Sequence, residues 1–321
     1  MKSLRLIAAL AASLLCTQPV AAADNYPSKP VRIIVPYQAG QGTDVAARYL
    51  SDYLAREVGQ PFIVENRPGA GGNIGASEAA RAAPDGYTVL MGTNGTHVLN
   101  QYIYASTNFD PAKDFEPIML VSSFPMVLVT TPASPYKSLA DLKDPKKAKP
   151  DSVTVGMPST TARLVFELLK QQGVTSIRGI PYKGSATATT DLMGGQVQIG
   201  IDTVSAARSF ITGGKLRALA VTSLKESALL PGVPPVSAQG LPDFQVIAWN
   251  GMYAPKGTPP AVVQKLNAAL VKILKQPEVR QRLLELGHEP GGGTPAELEA
   301  FARSERLKWE PLILKAGLKA E

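Results

Sequence analysis

Cysteine is nearly absent: the 321-residue chain has one, Cys16. It lies in an N-terminal stretch with the marks of an export signal. Lys2 and Arg5 form a basic start, Leu6 to Leu15 an apolar core, and Val20 to Ala23 a small-residue cleavage region. Residues 1–23 are therefore read as a signal peptide, and the exported chain as free of cysteine. That excludes a disulfide, a thiolate nucleophile and a cysteine-ligated metal. Leu15, directly before Cys16, is too large for a lipid-attachment site. Histidine is nearly as scarce, with His97 and His288 alone, so no His-based metal site is expected. Beyond the signal no apolar run reaches the ~18 residues that span a bilayer. Charge is also mild. Loss of Lys2 and Arg5 from the 33 basic residues leaves a small excess over the 26 acidic ones, spread along the chain rather than gathered into a basic face. A nucleic-acid partner is not expected, whereas a small anionic ligand is compatible.

The roughly 300 residues that remain suffice for two domains of ordinary size. They are organised around Val31 to Leu54, VRIIVPYQAGQGTDVAARYLSDYL. A β-branched run, a Pro/Gly-rich loop and an Ala/Leu/Tyr segment with helical apolar spacing read as strand, loop and helix. Thr43 or Asp44 is expected to cap the helix. Gly40 and Gly42 let the backbone approach a ligand at the helix start, where unpaired N–H groups favour an anion. Pro61 to Glu65 reads as the next strand. Gly69, Gly71 and Gly72 form a loop before a helix from Asn73, which places Gly72 and Asn73 at the same crevice. A dinucleotide fingerprint fails here, because Ile74 stands where its third glycine belongs. After a strand over Tyr87 to Met91, the loop GTNGTHVLN holds polar Thr93, Asn94, Thr96 and His97.

Phe115 to Thr130 is apolar and β-prone, and is expected to run from one lobe into another near Ser122 to Pro125. The second half begins with a strand over Val153 to Met157. Ser159, Thr160 and Thr161 then lead into a helix carrying Arg163. Tyr182, Gly184 and Ser185 form a tight loop after the strand Ile177 to Tyr182. A nucleophile elbow is absent there, since Ala186 and Thr187 follow the serine. Val197 to Ile201 delivers Asp202 and Thr203 at its carboxyl end, where Asp202 either caps the next helix or accepts hydrogen bonds from a ligand. Phe244 to Tyr253 returns the chain to the first lobe, with Trp249 and Asn250 at a hinge. Thr258-Pro259 and the capping box Thr294 to Glu297 start C-terminal helices read as scaffold.

Several blocks in order, VPYQAGQGTDVAARYL, VENRPGAGGNIGASEAARAAPDGYTVLMG, YKGSATATTDLMGGQVQIGIDT, GKLRALAVTS and YAPKGTPPAVVQKLN, resemble the tripartite tricarboxylate transporter solute receptors, the Bug family. The resemblance covers nearly the whole mature chain. It implies an α/β, two-lobed, periplasmic-binding-protein-like fold of type II (Venus flytrap) with two Rossmann-like domains. Lobe 1 is expected from 24–123 and 247–321, lobe 2 from 124–246. It further implies a periplasmic, monomeric receptor that delivers a small organic carboxylate, di- or tricarboxylic or aromatic, to a two-component membrane permease, without cofactor, metal or catalysis. The ligand residues it implies, with the loops above, are Tyr37, Gln38, Gly40, Gln41, Thr43, Asp44, Gly72, Asn73, Thr93, Thr96, His97, Ser159, Thr160, Thr161, Arg163, Tyr182, Gly184, Ser185, Asp202 and Thr203. The chain departs from the family at Arg163, where a longer Gly-rich loop and a histidine are usual. Two alternatives stay open: an exported hydrolase or transferase in the same cleft, for which the nucleophile and base are thin, and a receptor that presents its ligand to a membrane sensor.

Overall fold

The structure, a computed structural model, describes residues 25–319; the signal-peptide reading lies outside them. In the first half the chain forms β1 (Val31–Val35), α1 (Gly42–Val58), β2 (Phe62–Asn66), α2 (Asn73–Ala80) and β3 (Thr88–Thr93). β1 pairs in parallel with both β2 and β3. Its isoleucines and valines are buried because helices and neighbouring strands cover the sheet. α1 turns Ala46, Ala47, Leu50 and Leu54 inward, at helical spacing, and ends at Gly59, whose φ of 78° is left-handed. The helix begins one residue before Thr43, so neither Thr43 nor Asp44 is its cap. Asp44, in the first turn, instead accepts the N–H of Gly40 at 2.9 Å, reaching back as the acid of a capping box does.

β4 (Phe115–Thr130) then runs for 16 residues. A second unit repeats the first: β5 (Val153–Met157), α3 (Thr160–Gln171), β6 (Ile177–Pro181), α4 (Ser185–Met193) and β7 (Ile199–Thr203). β5 pairs in parallel with β6 and β7, as β1 does with β2 and β3. Topology repeats here where the sequence shows no repeat. α5 (Val204–Thr212), β8 (Arg217–Val221) and β9 (Ile247–Pro255) follow. The chain finishes with α6 (Pro260–Leu274), α7 (Pro277–Glu285), β10 (Glu289–Gly292) and α8 (Pro295–Ala316). Pro260, not Pro259, holds the first position of α6. The capping box of α8 forms as expected, with Thr294 N donating to Glu297 at 2.7 Å and Glu297 N to Thr294 at 3.2 Å.

The strands order as β2-β1-β3-β9-β4-β7-β5-β6. β4 belongs to both halves: Phe115 to Pro125 pair with β9, and Met126 to Thr130 with β7 and β8. The change of partner thus falls between Pro125 and Met126, at the end of the expected crossover. The second crossing, at Val246, is tied to the first by buried Thr222. Its hydroxyl accepts from Met126 N at 2.8 Å and donates to Val246 O at 2.6 Å, while its own N–H and C=O bond Met126 and Val246.

Replacing that hydroxyl by a methyl group strands one backbone donor and one acceptor in the core, at about 1–3 kcal/mol each. Thr222→Val is expected to lower the unfolding free energy in urea by about 2–4 kcal/mol. The exposed control Thr212→Val is expected to change it by less than about 0.5 kcal/mol; equal effects would remove Thr222 from its role at the crossing.

Candidate functional site

Loops at the carboxyl ends of β1 and β3, from one half-sheet, and of β5, β6 and β7, from the other, face each other across a crevice. The crevice has two parts that share Tyr37 and Ser159. The inner chamber has a volume of about 40 Å³. A single water needs roughly 10–15 Å³ on this measure, so it holds about three water-sized groups, the bulk of one carboxylate and a water. The outer cleft is larger, about 630 Å³.

The chamber is walled by neutral polar groups and one acid. Tyr37, Gln41, Gly42 and Thr43 come from the β1 loop and the start of α1; Thr93 and Asn94 end β3. Ser159 and Thr161, Ser185, and Asp202 with Thr203 stand at the starts of α3, α4 and α5. Among the described residues no lysine, arginine or histidine lines it. Four helices of nine or more residues begin there, and their unpaired N–H groups supply the positive potential. The floor is apolar, made by Phe124, Met126, Ala248 and Trp249 of the crossing strands.

The polar groups are already ordered among themselves. The Tyr37 hydroxyl lies 2.9 Å from that of Thr93, and burial pushes it up to about 12. Ser185 donates to Asp202 Oδ1 at 2.9 Å, and Thr203 N donates to the same oxygen at 2.7 Å. Burial raises the Asp202 carboxyl to about 6, with those two donors pulling against it. Asn94 donates to Thr161 at 3.0 Å and Gln41 to Ser185 at 3.4 Å, so the two walls touch and the crevice is closed.

Gln38, Gly72, Thr160, Arg163 and Tyr182 line the outer cleft, beside Tyr104 and Lys183. Tyr182 donates to Asp191 at 2.7 Å. Arg163 lies in the first turn of α3, half-buried and without an ion pair among the described residues. Gly184 precedes α4, where a Cβ would collide with the Gln38 side chain. Gly40 sits exposed at the rim.

Besides Gly40 and Gly184, which line neither part of the crevice, four expected ligand residues point away from it. Asp44 is held by Arg48 at 2.9 Å, by Asn66 at 2.8 Å and by Gly40 N, and orders the loop from behind. Asn73 accepts from Asn100 at 2.7 Å and faces a separate surface pocket. Thr96 and His97 are fully buried. The segment after β3 is helical rather than a loop, which turns both side chains into the core. The His97 ring stacks on Tyr253 at 3.8 Å and meets Phe115 at 4.9 Å; burial, assisted by Arg306, lowers it to about 3. Gly92 makes the room, since a Cβ there would lie 2.5 Å from the ring. Conversely Asn94, noted with its loop but not among the expected ligand residues, lines the chamber, as do the floor residues. Their place at the two strand crossings was the signal for the floor.

Behind the chamber wall a buried chain of hydrogen bonds crosses both strands. Thr43 donates to Asn250 at 2.9 Å, and Asn250 to Ser122 at 3.0 Å. Ser122 lies 3.2 Å from His288 Nδ1, and His288 Nε2 lies 3.1 Å from Ser205 on α5. Each ring nitrogen therefore faces a hydroxyl that can donate or accept, which suits a neutral imidazole in either tautomer. Burial agrees, lowering His288 to about 4.

The profile described as tripartite tricarboxylate transporter family receptor matches residues 46–318. Protein BugT of Bordetella pertussis is 35% identical over 300 residues, 92% of either chain. Among solved structures, a protein of R. palustris with adipate matches at a TM-score of 0.88 and 35% identity, over 91% of this chain and 98% of its own. The periplasmic binding protein BugD matches at 0.86 and 35% identity, over 92% and 100%.

His288 titrates near 6.5 in the unfolded chain and about 4 in the folded one. The stability it carries is full above pH 6.5 and is lost as pH falls through 4, because only the unfolded chain takes the proton. His97 acts in the same direction and Asp202 in the opposite one. Comparison with His288→Gln isolates the first contribution. The stability of wild type relative to the variant is expected to shrink by about 2 kcal/mol between pH 7.5 and 4.5; a constant difference would contradict a neutral buried imidazole.

Proposed function

This chain belongs to the tripartite tricarboxylate transporter receptor family, and from that premise we propose that it binds a small organic acid with one carboxylate in the inner chamber. The observation that carries this reading is the chamber itself: carboxylate-sized, without a basic side chain, and met by four helix N-termini. Each helix end offers about 0.3–1 kcal/mol to an anion, up to about 2 kcal/mol when partly buried. Micromolar affinity needs about −8 kcal/mol, so the hydroxyls of Tyr37, Thr93, Ser159, Thr161 and Thr203 and the burial of the ligand body contribute the rest.

The body of the ligand passes between Tyr37 and Ser159 into the outer cleft. There Arg163 and Lys183 supply the positive charge that the chamber lacks, and the unpaired Arg163 suits a second carboxylate, which it can bind through two hydrogen bonds. A di- or tricarboxylate or an acidic aromatic fits that path, and the relative solved with adipate has a ligand of this kind. Residues 24–123 with 247–321 form one lobe and 124–246 the other. They hinge at the paired crossings near Pro125 and Val246, and the Gln41–Ser185 and Asn94–Thr161 bonds hold the closed form that a membrane permease of the same transport system reads in the periplasm. Ser185 bonded to Asp202 is the nearest approach to a nucleophile and base, and no histidine accompanies it in the chamber; the reading is of a receptor that returns its ligand unchanged.

A thermal-shift screen of residues 24–321 against mono-, di- and tricarboxylates, aromatic acids and amino acids tests this. An acid at a hundred times its dissociation constant is expected to add about 2.7 kcal/mol. Arg163→Ala is expected to weaken a diacid by tenfold or more, with the melting temperature of the free protein unchanged. Equal affinity in variant and wild type would remove Arg163 from the site.

A further inference from the structure

Asp202 poses a problem that the family fold does not resolve. A chamber built for an anion already contains a carboxyl group, 7% exposed. Its Oδ1 is fully used by Ser185 and Thr203, while Oδ2 has no hydrogen-bond partner among the described residues. Asp202 lines this chamber of about 40 Å³, so a ligand carboxylate bound there would sit beside its carboxyl group, and two like charges that close cannot both stay ionised.

We propose that the ligand carboxylate and Asp202 share one proton in the closed chamber, so that the protein takes up a proton with each acid it binds. The proton sits on Oδ2, which turns Asp202 from a repelling acceptor into a donor toward the ligand. This rests on the carboxylate reading above.

No charged group is placed to do the same work. On β4 the residue paired with Asp202 is Val127, and β5 presents Val155 and Gly156 to β7. On α3, Arg163 lines the outer cleft rather than the chamber, and Glu167 and Lys170 lie further along the helix. On α4, Asp191 is occupied by Tyr182, itself in the outer cleft with Lys183. Arg208 of α5 turns to the carbonyls of Leu284 and Glu285. From the facing wall, Asp44 is held by Arg48 and His288 is neutral between Ser122 and Ser205. Burial, opposed by the Thr203 and Ser185 donors, already lifts the free carboxyl to about 6.

Below pH 6 Asp202 is protonated before the ligand arrives, and affinity is level. Above it each unit of pH costs about tenfold, because the proton must be drawn from solvent. The test is calorimetric titration with adipate, malate and benzoate between pH 6.5 and 8.5, a range in which all three stay ionised. An acid that binds is expected to weaken by about thirtyfold to a hundredfold over those two units. Parallel runs at pH 7.5 in phosphate and Tris are expected to count about one proton taken up. Asp202→Asn, a permanent donor, is expected to bind with no pH dependence and to exceed wild type at pH 8.5. Affinity level with pH and no proton uptake would overturn the shared proton and leave the carboxylate reading standing. Affinity rising with pH would overturn it in favour of an ionised Asp202 accepting from a ligand hydroxyl or ammonium group. Failure of all three acids to bind at any pH would overturn both readings. Should the variant not fold, the proton count on wild type decides alone.

Discussion

The site depends on one electrostatic arrangement: four helix N-termini converge on a chamber that no cationic side chain enters. Backbone N–H groups are fixed by the helices they begin, so they do not reorient as a lysine would, although Thr203 N at the start of α5 already donates to Asp202. The positive potential is therefore spread over both walls, from α1 on one side and α3, α4 and α5 on the other. The cationic side chains Arg163 and Lys183 lie outside it, in the outer cleft.

The topology makes that convergence possible. Two βαβαβ units with the same strand order place the carboxyl ends of their parallel strands face to face, the region where open α/β sheets bind ligands. β4 and β9 join the units, and their crossings are stitched by Thr222 in front and by the chain from Thr43 to Ser205 behind. Crossing strands and chamber share residues: Phe124, Met126, Ala248 and Trp249 belong to both. A ligand on that floor would rest on the two strands that join the units.

Much of this was legible in the chain. β1, β4 and β5 follow their β-branched runs to the residue, because a strand buried on both faces needs little but apolar continuity. Gln41, Thr43, Thr93, Ser159, Thr161, Ser185, Asp202 and Thr203 stand where strand-end loops meet helix starts, and the structure gathers them all into one chamber. What could not be read was direction within a turn. GTNGTHVLN looks like a loop by composition, yet it winds into a helix that sends Asn94 to the chamber and His97 to the core. Asp44 and Asn73 are polar residues at helix starts like the others, and only the partners that folding brings, Arg48 and Asn66 for one and Asn100 for the other, take them out of the site. The separation of the crevice into a neutral chamber and a cationic cleft is likewise a property of packing. In the sequence Ser159 and Arg163 are one turn apart on the same helix.

The most direct measurement is a crystal structure of the protein with adipate bound. One carboxylate is expected inside the chamber, within hydrogen-bonding distance of the N–H groups that open α1 and α5 and of the Asp202 carboxyl, with the other end toward Arg163. Adipate held by Arg163 and Lys183 in the outer cleft alone, above a chamber containing only water, would contradict the account.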